Sequence, residues 1–245
     1  MQAFAKTDVG VMRQMNQDYC YANTAQEGLL PNLFIVADGM GGHNAGDYAS
    51  RFCVEKFVEL IRNAGSGVLS KLSFLEEAIK ETNEQLIVKA AENPDLDGMG
   101  TTFVACTVSA ENEMDVLNIG DSRLYLIDRV SGIKQITEDH SLVMEMVKQG
   151  EIKKDEARFH PKKNVVTRAI SAIGVVIPDM FRVPVKEGDI ILLCSDGLSN
   201  MLADFEIYDI INDNRENLEK AANALVERAN RNGGKDNITV VLVKI

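Results

Sequence analysis

The sequence predicts a layered α/β fold built on antiparallel sheets, and three observations lead there. Strand-like runs at 101–110, 115–120 and 122–128 follow one another with only short breaks, and strands so joined pair antiparallel. Helical runs come in pairs between groups of strands, not one after each strand as in a doubly wound parallel sheet. No Pro-rich or Ser-rich linker, internal repeat or low-complexity tract divides the 245 residues, so a single domain is expected over 1–245.

Each element has its own signal. LFIVA (33–37) is apolar throughout, the mark of a strand covered on both faces. In 44–64, Ala49, Phe52, Cys53, Phe57, Leu60 and Ile61 form one apolar stripe at helical spacing. A second helix is expected over 73–92, with Ser73 as N-cap, Glu76 completing a capping box and Pro94 just past the end. In TTFVACTVSA (101–110), Phe103, Ala105, Thr107 and Ser109 alternate with Val104, Cys106 and Val108, a period of two. DVLNIG (115–120), SRLYLID (122–128), DIILLCS (189–195) and NITVVLVKI (237–245) complete the strands. Helices are expected near 204–213 and 216–231, the second stopped by Gly233-Gly234. Region 129–188 has little period-two character and reads as a short helix followed by an irregular, mobile segment beside the site.

Composition narrows the function. Apolar residues at 45% and charged residues at 26% describe a globular chain. With 26 basic and 37 acidic residues the net charge is −11, which argues against nucleic acid or an anionic membrane as partner. Cys20, Cys53, Cys106 and Cys194 show neither CxxC pairs nor zinc spacing, and no disulfide framework is expected. MQAFAKTDVG lacks the apolar core of a signal peptide, and no run approaches the ~20 apolar residues of a membrane span. A cytoplasmic monomer is the expectation.

The chemistry gathers where apolar runs stop. LFIVADG ends at Asp38-Gly39, DIILLCSDG at Asp196-Gly197, and DVLNIGDSR at Asp121; Asp236 stands just before the last strand. One Asp-Gly at a strand end is usually only a turn. Repeated on separate strands, it suggests a shared task. Several dehydrated carboxylates repel one another and their pKa values rise, unless a cation joins them. Mg or Mn suits an all-oxygen set, and glycine lets the backbone approach the ion. The lack of His and Cys ligands argues against zinc. GMGG at 39–42 is a weak phosphate-loop signal without the Lys-Ser/Thr of a P-loop.

In this order, TDVGVMRQMNQD (7–18), VADGMGGHNAGDYAS (36–50), GMGTTFVACTV (98–108), NIGDSRLYLI (118–127), EDHS (138–141), CSDGLSNML (194–202) and GGKDNITVVLV (233–243) resemble the bacterial metal-dependent Ser/Thr phosphatases of type 2C, the PPM family. The resemblance spans essentially the whole chain. It implies two packed antiparallel sheets flanked by helix pairs, an α-β-β-α sandwich, with a binuclear Mg/Mn centre in a cleft at one end. Asp38 would bridge the ions, with the Gly39 carbonyl on one and Asp196 and Asp236 on the other. Asp121 and Asp196 match a third-ion site, and Asp18 an outer position holding a coordinated water. Residues near 145–175 match the family's flap, which touches substrate. Arg13 would bind the phosphoryl group.

The implied reaction is hydrolysis of phosphoserine or phosphothreonine by a water that two cations have made hydroxide-like, opposing a bacterial Ser/Thr kinase. Phosphorylated proteins would be the partners. A non-catalytic regulatory module and a small-molecule phosphomonoesterase on the same fold are the alternatives. The chain departs from the family pattern in three places. Gln17 replaces the usual Glu. Met40 stands where eukaryotic members carry His, leaving His43, His160 and metal-bound water as candidate acids, water preferred. The flap ends Arg168-Ala169-Ile170-Ser171 in place of an Arg-Leu-Gly-like sequence.

Overall fold

The structure is a computed structural model that describes residues 1–42, 45–65, 70–96 and 98–245. The strands are β1 (Gln2–Asp8), β2 (Asp18–Asn23), β3 (Leu33–Met40), β4 (Gly100–Thr101), β5 (Phe103–Val108), β6 (Glu113–Ile119), β7 (Arg123–Asp128), β8 (Gly132–Gln135), β9 (Ile170–Ser171), β10 (Asp179–Pro184), β11 (Ile190–Cys194) and β12 (Ile238–Lys244). The helices are α1 (Ala45–Arg62), α2 (Lys71–Glu92), α3 (Leu142–Lys148), α4 (Lys154–Ala157), α5 (Asp196–Ser199), α6 (Asp204–Asp213) and α7 (Leu218–Arg231).

All strand pairs are antiparallel. One sheet runs β1-β12-β11-β7-β8; the other runs β10-β6-β5-β3-β4-β9, with β2 also paired to β3. The apolar strand runs are explained by two covered faces. Val36, Val104 and Val116 meet Leu193, Val241 and Val243 between the sheets. One residue along, Ile35, Ala105 and Leu117 face outward, under α1 and α2. There Phe57 of α1 meets Phe103 edge-on, ring centroids 5.1 Å apart. On the far side Leu192, Val240 and Leu242 pack against Ile207 of α6 and Leu225 of α7. The result is the expected α-β-β-α layering.

The differences from expectation have local causes. Helix α2 begins earlier than Ser73: Ser70 is extended and its hydroxyl accepts from Ser73 N at 3.1 Å, so Ser70 is the N-cap. Glu76 turns instead to Lys80, one turn on, at 2.6 Å. The run 101–110 is not one strand. It is interrupted at Thr102, whose N–H donates to Asp38 O at 2.9 Å. β3 continues through Asp38 to Met40, so this aspartate lies within a strand and not past its end. Region 129–188 contains β8, β9, β10 and two short helices, and so is more ordered than an irregular segment. β10 was hard to read because it is an edge strand, only partly buried and ending in Pro184. β1 and β2 are likewise mostly half-buried, without an apolar run.

Candidate metal centre

The strand ends deliver carboxylates to one end of the sandwich. Asp38 lies in β3, Asp121 follows β6, Asp196 opens α5 after β11, and Asp236 precedes β12. Asp18, first residue of β2, sits directly opposite Asp38 in the β2–β3 register. Like charges so placed destabilise a sheet unless something neutralises them.

The electrostatics records that conflict. Burial, then the charges of Asp18, Asp196, Asp121 and Asp236, push the Asp38 carboxyl well above the usual range. Burial, with Asp196 and Asp139 adding, raises Asp121 to about 8. Burial raises Asp18 to about 7, although hydrogen bonds from Thr239 and Ser195 oppose it. Asp196 rises to about 6 through burial and Asp236, while contact with Asp38 and the cations Lys163 and Arg123 pull it back. Asp38 and Asp196 keep part of their surface exposed and are enclosed by protein elsewhere.

Two oxygens in this cluster lack a donor. Oδ1 of Asp18 and Oδ1 of Asp196 are buried without a hydrogen-bond partner among the described residues. A buried orphaned carboxylate oxygen is costly. A hard cation fits the donor set, because it satisfies the oxygens and removes the repulsion together. No group of three or more His, Cys, Asp or Glu side chains among the described residues is gathered tightly enough to hold an ion unaided. Mg and Mn ask less of the protein than that, since Mg typically keeps several waters and takes one or two carboxylates.

The scaffold fixes the backbone of these residues. Asp38 N donates to Thr102 Oγ1 at 3.0 Å, and Thr101 Oγ1 donates to Asp38 O at 3.0 Å. Thr102 and Ser122 hydroxyls meet at 2.7 Å, tying β3 to the Asp121 turn. Ser195 Oγ donates to Asp18 Oδ2 at 2.8 Å, and Asn200 Nδ2 donates to Asp196 Oδ2 at 2.8 Å. Asn237 Nδ2 donates to the carbonyls of Val9 and Met15, both at 2.9 Å, and so anchors the loop that carries Arg13. Arg13 Nη2 donates to Asp236 Oδ2 at 2.8 Å while its side chain stays 48% exposed.

Gly39 is required by space. A Cβ there would stand 2.0 Å from Gly46 O and 2.5 Å from Gln17 O, both backbone. Its own N–H donates to Gln17 O at 3.0 Å. Gly39→Ala is therefore expected to cost at least the upper part of the about 1–3 kcal/mol of an overpacking change. A thermal melt of the variant checks this; an unchanged midpoint refutes the close approach.

Asp18, Asp38, Asp121, Asp196 and Asp236 are thus brought together, with Arg13 on Asp236. His43 lies outside the described residues. His160 makes a local contact, its Nδ1 accepting from Lys162 N at 3.2 Å. Met40 pairs through its backbone with Gly100 of β4. The supporting groups Thr102, Ser195, Asn200 and Asn237 were missed, because single polar residues carry no periodic signal. So was His140, which is buried. Its Nδ1 accepts from Gly120 N at 3.1 Å and its Nε2 lies 3.0 Å from Asp179 Oδ2, fixing the turn before Asp121. Arg168, just before β9, donates to the same Asp179 at 3.0 Å.

Known proteins share this sequence pattern and fold. The family model for Protein phosphatase 2C matches residues 11–242. The chain is 42% identical to the Serine/threonine phosphatase stp of Listeria welshimeri, covering 100% of this chain and 96% of that protein. The crystal structure of the Mycobacterium tuberculosis serine/threonine phosphatase PstP/Ppp superposes with a TM-score of 0.88 at 35% identity, covering 100% of this chain and 98% of that one. A structure of the catalytic domain of serine threonine protein phosphatase PstP in complex with 2 manganese ions gives a TM-score of 0.84 at 34% identity, covering 99% and 97%. The chain belongs to the protein phosphatase 2C family, and its fold and function are those of a metal-dependent serine/threonine protein phosphatase. No helix among the described residues is long and apolar enough to cross a membrane.

Proposed function

We propose that the aspartate cluster is the centre at which this chain hydrolyses phosphoserine and phosphothreonine in proteins, with two Mg or Mn ions and room for a third. The observation that carries the assignment is the set of buried, mutually repelling carboxylates with orphaned oxygens. Asp38, the Gly39 carbonyl, Asp196 and Asp236 would hold the two ions, and Asp121 with Asp196 the third. When bound, the ions supply Lewis acidity and a water made nucleophilic near neutral pH.

The chain's own residues have separable tasks. Asp18, fixed by Ser195, would orient a coordinated water from behind. Arg13 has donors beyond the one on Asp236, and its planar fork suits two phosphoryl oxygens. We assign the leaving-group proton to water in the cleft, since the described contact of His160 is local. A phosphorylated protein is the substrate, and a cognate Ser/Thr kinase in the cytoplasm is the enzyme this monomer would oppose. A regulatory binding module has no need of the full aspartate set. A free phosphate ester compared with a phosphopeptide at matched concentration tests the small-molecule reading.

Arg13→Ala is expected to raise KM for a phosphothreonine peptide by about tenfold, the loss of a charge-assisted hydrogen bond, and to lower kcat less. Steady-state kinetics over a peptide series measures both. An unchanged KM contradicts phosphate binding by Arg13.

A further inference from the structure

A cavity of about 550 Å³ opens beside Asp121 and Asp196, between the flap helices α3 and α4 and the start of α6. Its size falls in the roughly 300–1,000 Å³ range of ligand sites. The lining contains more acids than bases, but most of the acids are committed. Asp139 is gripped by Arg123, with Nη2 at 2.7 Å from Oδ2. Glu138 pairs with Lys148 at 2.9 Å. Asp121 and Asp196 belong to the proposed metal centre. Asp155 is left, with Asp204, whose described partner at 3.2 Å is the neutral Tyr125 hydroxyl.

Against these two acids stand Lys154, Arg158 and Lys163, none in an ion pair among the described residues. Lys163 Nζ donates to Asn200 Oδ1 at 2.9 Å, a neutral partner. Burial, then the charge of Arg158, holds the Lys163 ammonium below the usual lysine range, against the opposing attraction of Asp196. Cations that repel one another around a hollow do not stabilise a fold. Nor do the two phenylalanines that line it, Phe159 at 83% and Phe205 at 67% exposure.

We propose that this cavity is a substrate subsite for an anionic group on the polypeptide flanking the phosphorylated residue, held chiefly by Arg158, with Lys163 beside it as a minor contributor. The inference rests on the phosphatase reading, because the cavity reaches the centre only through Asp121 and Asp196. A chain whose phosphate lies at the aspartates must lead its neighbours away from them, and this hollow adjoins that point. Arginine binds a carboxylate or a phosphate through two donors, and the lysine supplies a point charge. The ligand chemistry is an anion on a peptide. Its source is either an Asp/Glu side chain or a second phosphate.

The test uses the full chain saturated with Mn and a set of phosphothreonine peptides of one length. One has alanine flanks, one has glutamate flanks on both sides, and one carries a second phosphothreonine. The expected result is a kcat/KM higher by about tenfold for an anionic peptide than for the alanine peptide, as for one charge-assisted hydrogen bond. That ratio should shrink as salt rises. Arg158→Gln should bring it to about one, and Arg158→Lys should retain part of it, since only the fork is lost. Preference for the glutamate peptide, the doubly phosphorylated peptide or both supports the subsite and identifies the source. Equal kcat/KM for all three in the unmodified protein overturns the subsite and leaves the phosphatase reading standing. Hydrolysis of none of them overturns the phosphatase reading itself. A preference that survives in a folded Arg158→Gln protein overturns the assignment to this cavity.

Discussion

Asp38→Asn is expected to abolish Mn-dependent hydrolysis of a phosphothreonine peptide and, in the same protein, to raise the melting temperature measured without metal. The two effects have one cause. Asp38 stands opposite Asp18 in the sheet, and its carboxyl is pushed well above the usual range by burial and by four neighbouring carboxylates. Asparagine keeps the shape and removes the charge. The backbone contacts at this position, Asp38 N to Thr102 Oγ1 and Thr102 N to Asp38 O, do not involve the side chain and persist. The metal-free protein therefore loses repulsion and little else. With metal the balance reverses, because a carboxylate that would help hold the ions is gone. The loss in kcat/KM should exceed the roughly 10²–10³ of removing a single stabilising donor. Steady-state kinetics over a Mn titration and melts in EDTA measure the two halves. Substantial residual activity at saturating Mn would sink the assignment of Asp38 to the metal centre, whatever the melt shows.

The layers of this fold were legible because burial on both faces writes itself into β3, β11 and β12 as nearly continuous apolar runs, and β5 added a period of two. Helices α1 and α7 were legible for a related reason, since one stripe of each faces a sheet. β8 and β10 were not, because an edge strand with a half-exposed face has neither a full apolar run nor clean alternation. The same contrast holds at the site. Asp38, Asp121 and Asp196 announce themselves by interrupting or ending apolar stretches. Thr102 looked like one more strand residue, and only the structure shows β4 and β5 parting around it to hold Asp38. Two cations of the cavity were visible as residues but not as neighbours: Arg158 and Lys163 come to one hollow through the turns after α4, which no periodicity announces.

Without metal, the protein should become less stable as pH rises from about 4 to about 8, and saturating Mn should remove that fall. The direction follows from the folded-state values. Burial and mutual repulsion push Asp196, Asp18 and Asp121 up to about 6, about 7 and about 8 in the folded chain, above the 3.8 of an unperturbed aspartate. Across that window the folded state keeps protons that the unfolded state has released. Stability falls with pH wherever the native state binds more protons. The groups shifted the other way act at lower pH. Asp179, held down by His140 and Arg168 against its own burial, contributes stability that is lost as pH falls through its depressed value. Glu27, which Arg62, Tyr21 and Asn23 hold down in the same way, does likewise. Metal binds the ionised carboxylates and stabilises by about 2.7 kcal/mol when its concentration is 100 times Kd. Melting curves in EDTA and in Mn, at pH values spanning the window, give both slopes; a flat or rising midpoint in EDTA contradicts the cluster. General repulsion in a chain of net charge −11 also lowers stability as carboxylates ionise. Asp38→Asn separates the two, because it changes the net charge by a single unit. If the slope belongs to the cluster, that one substitution flattens it markedly; if it belongs to the surface, the slope is nearly unchanged.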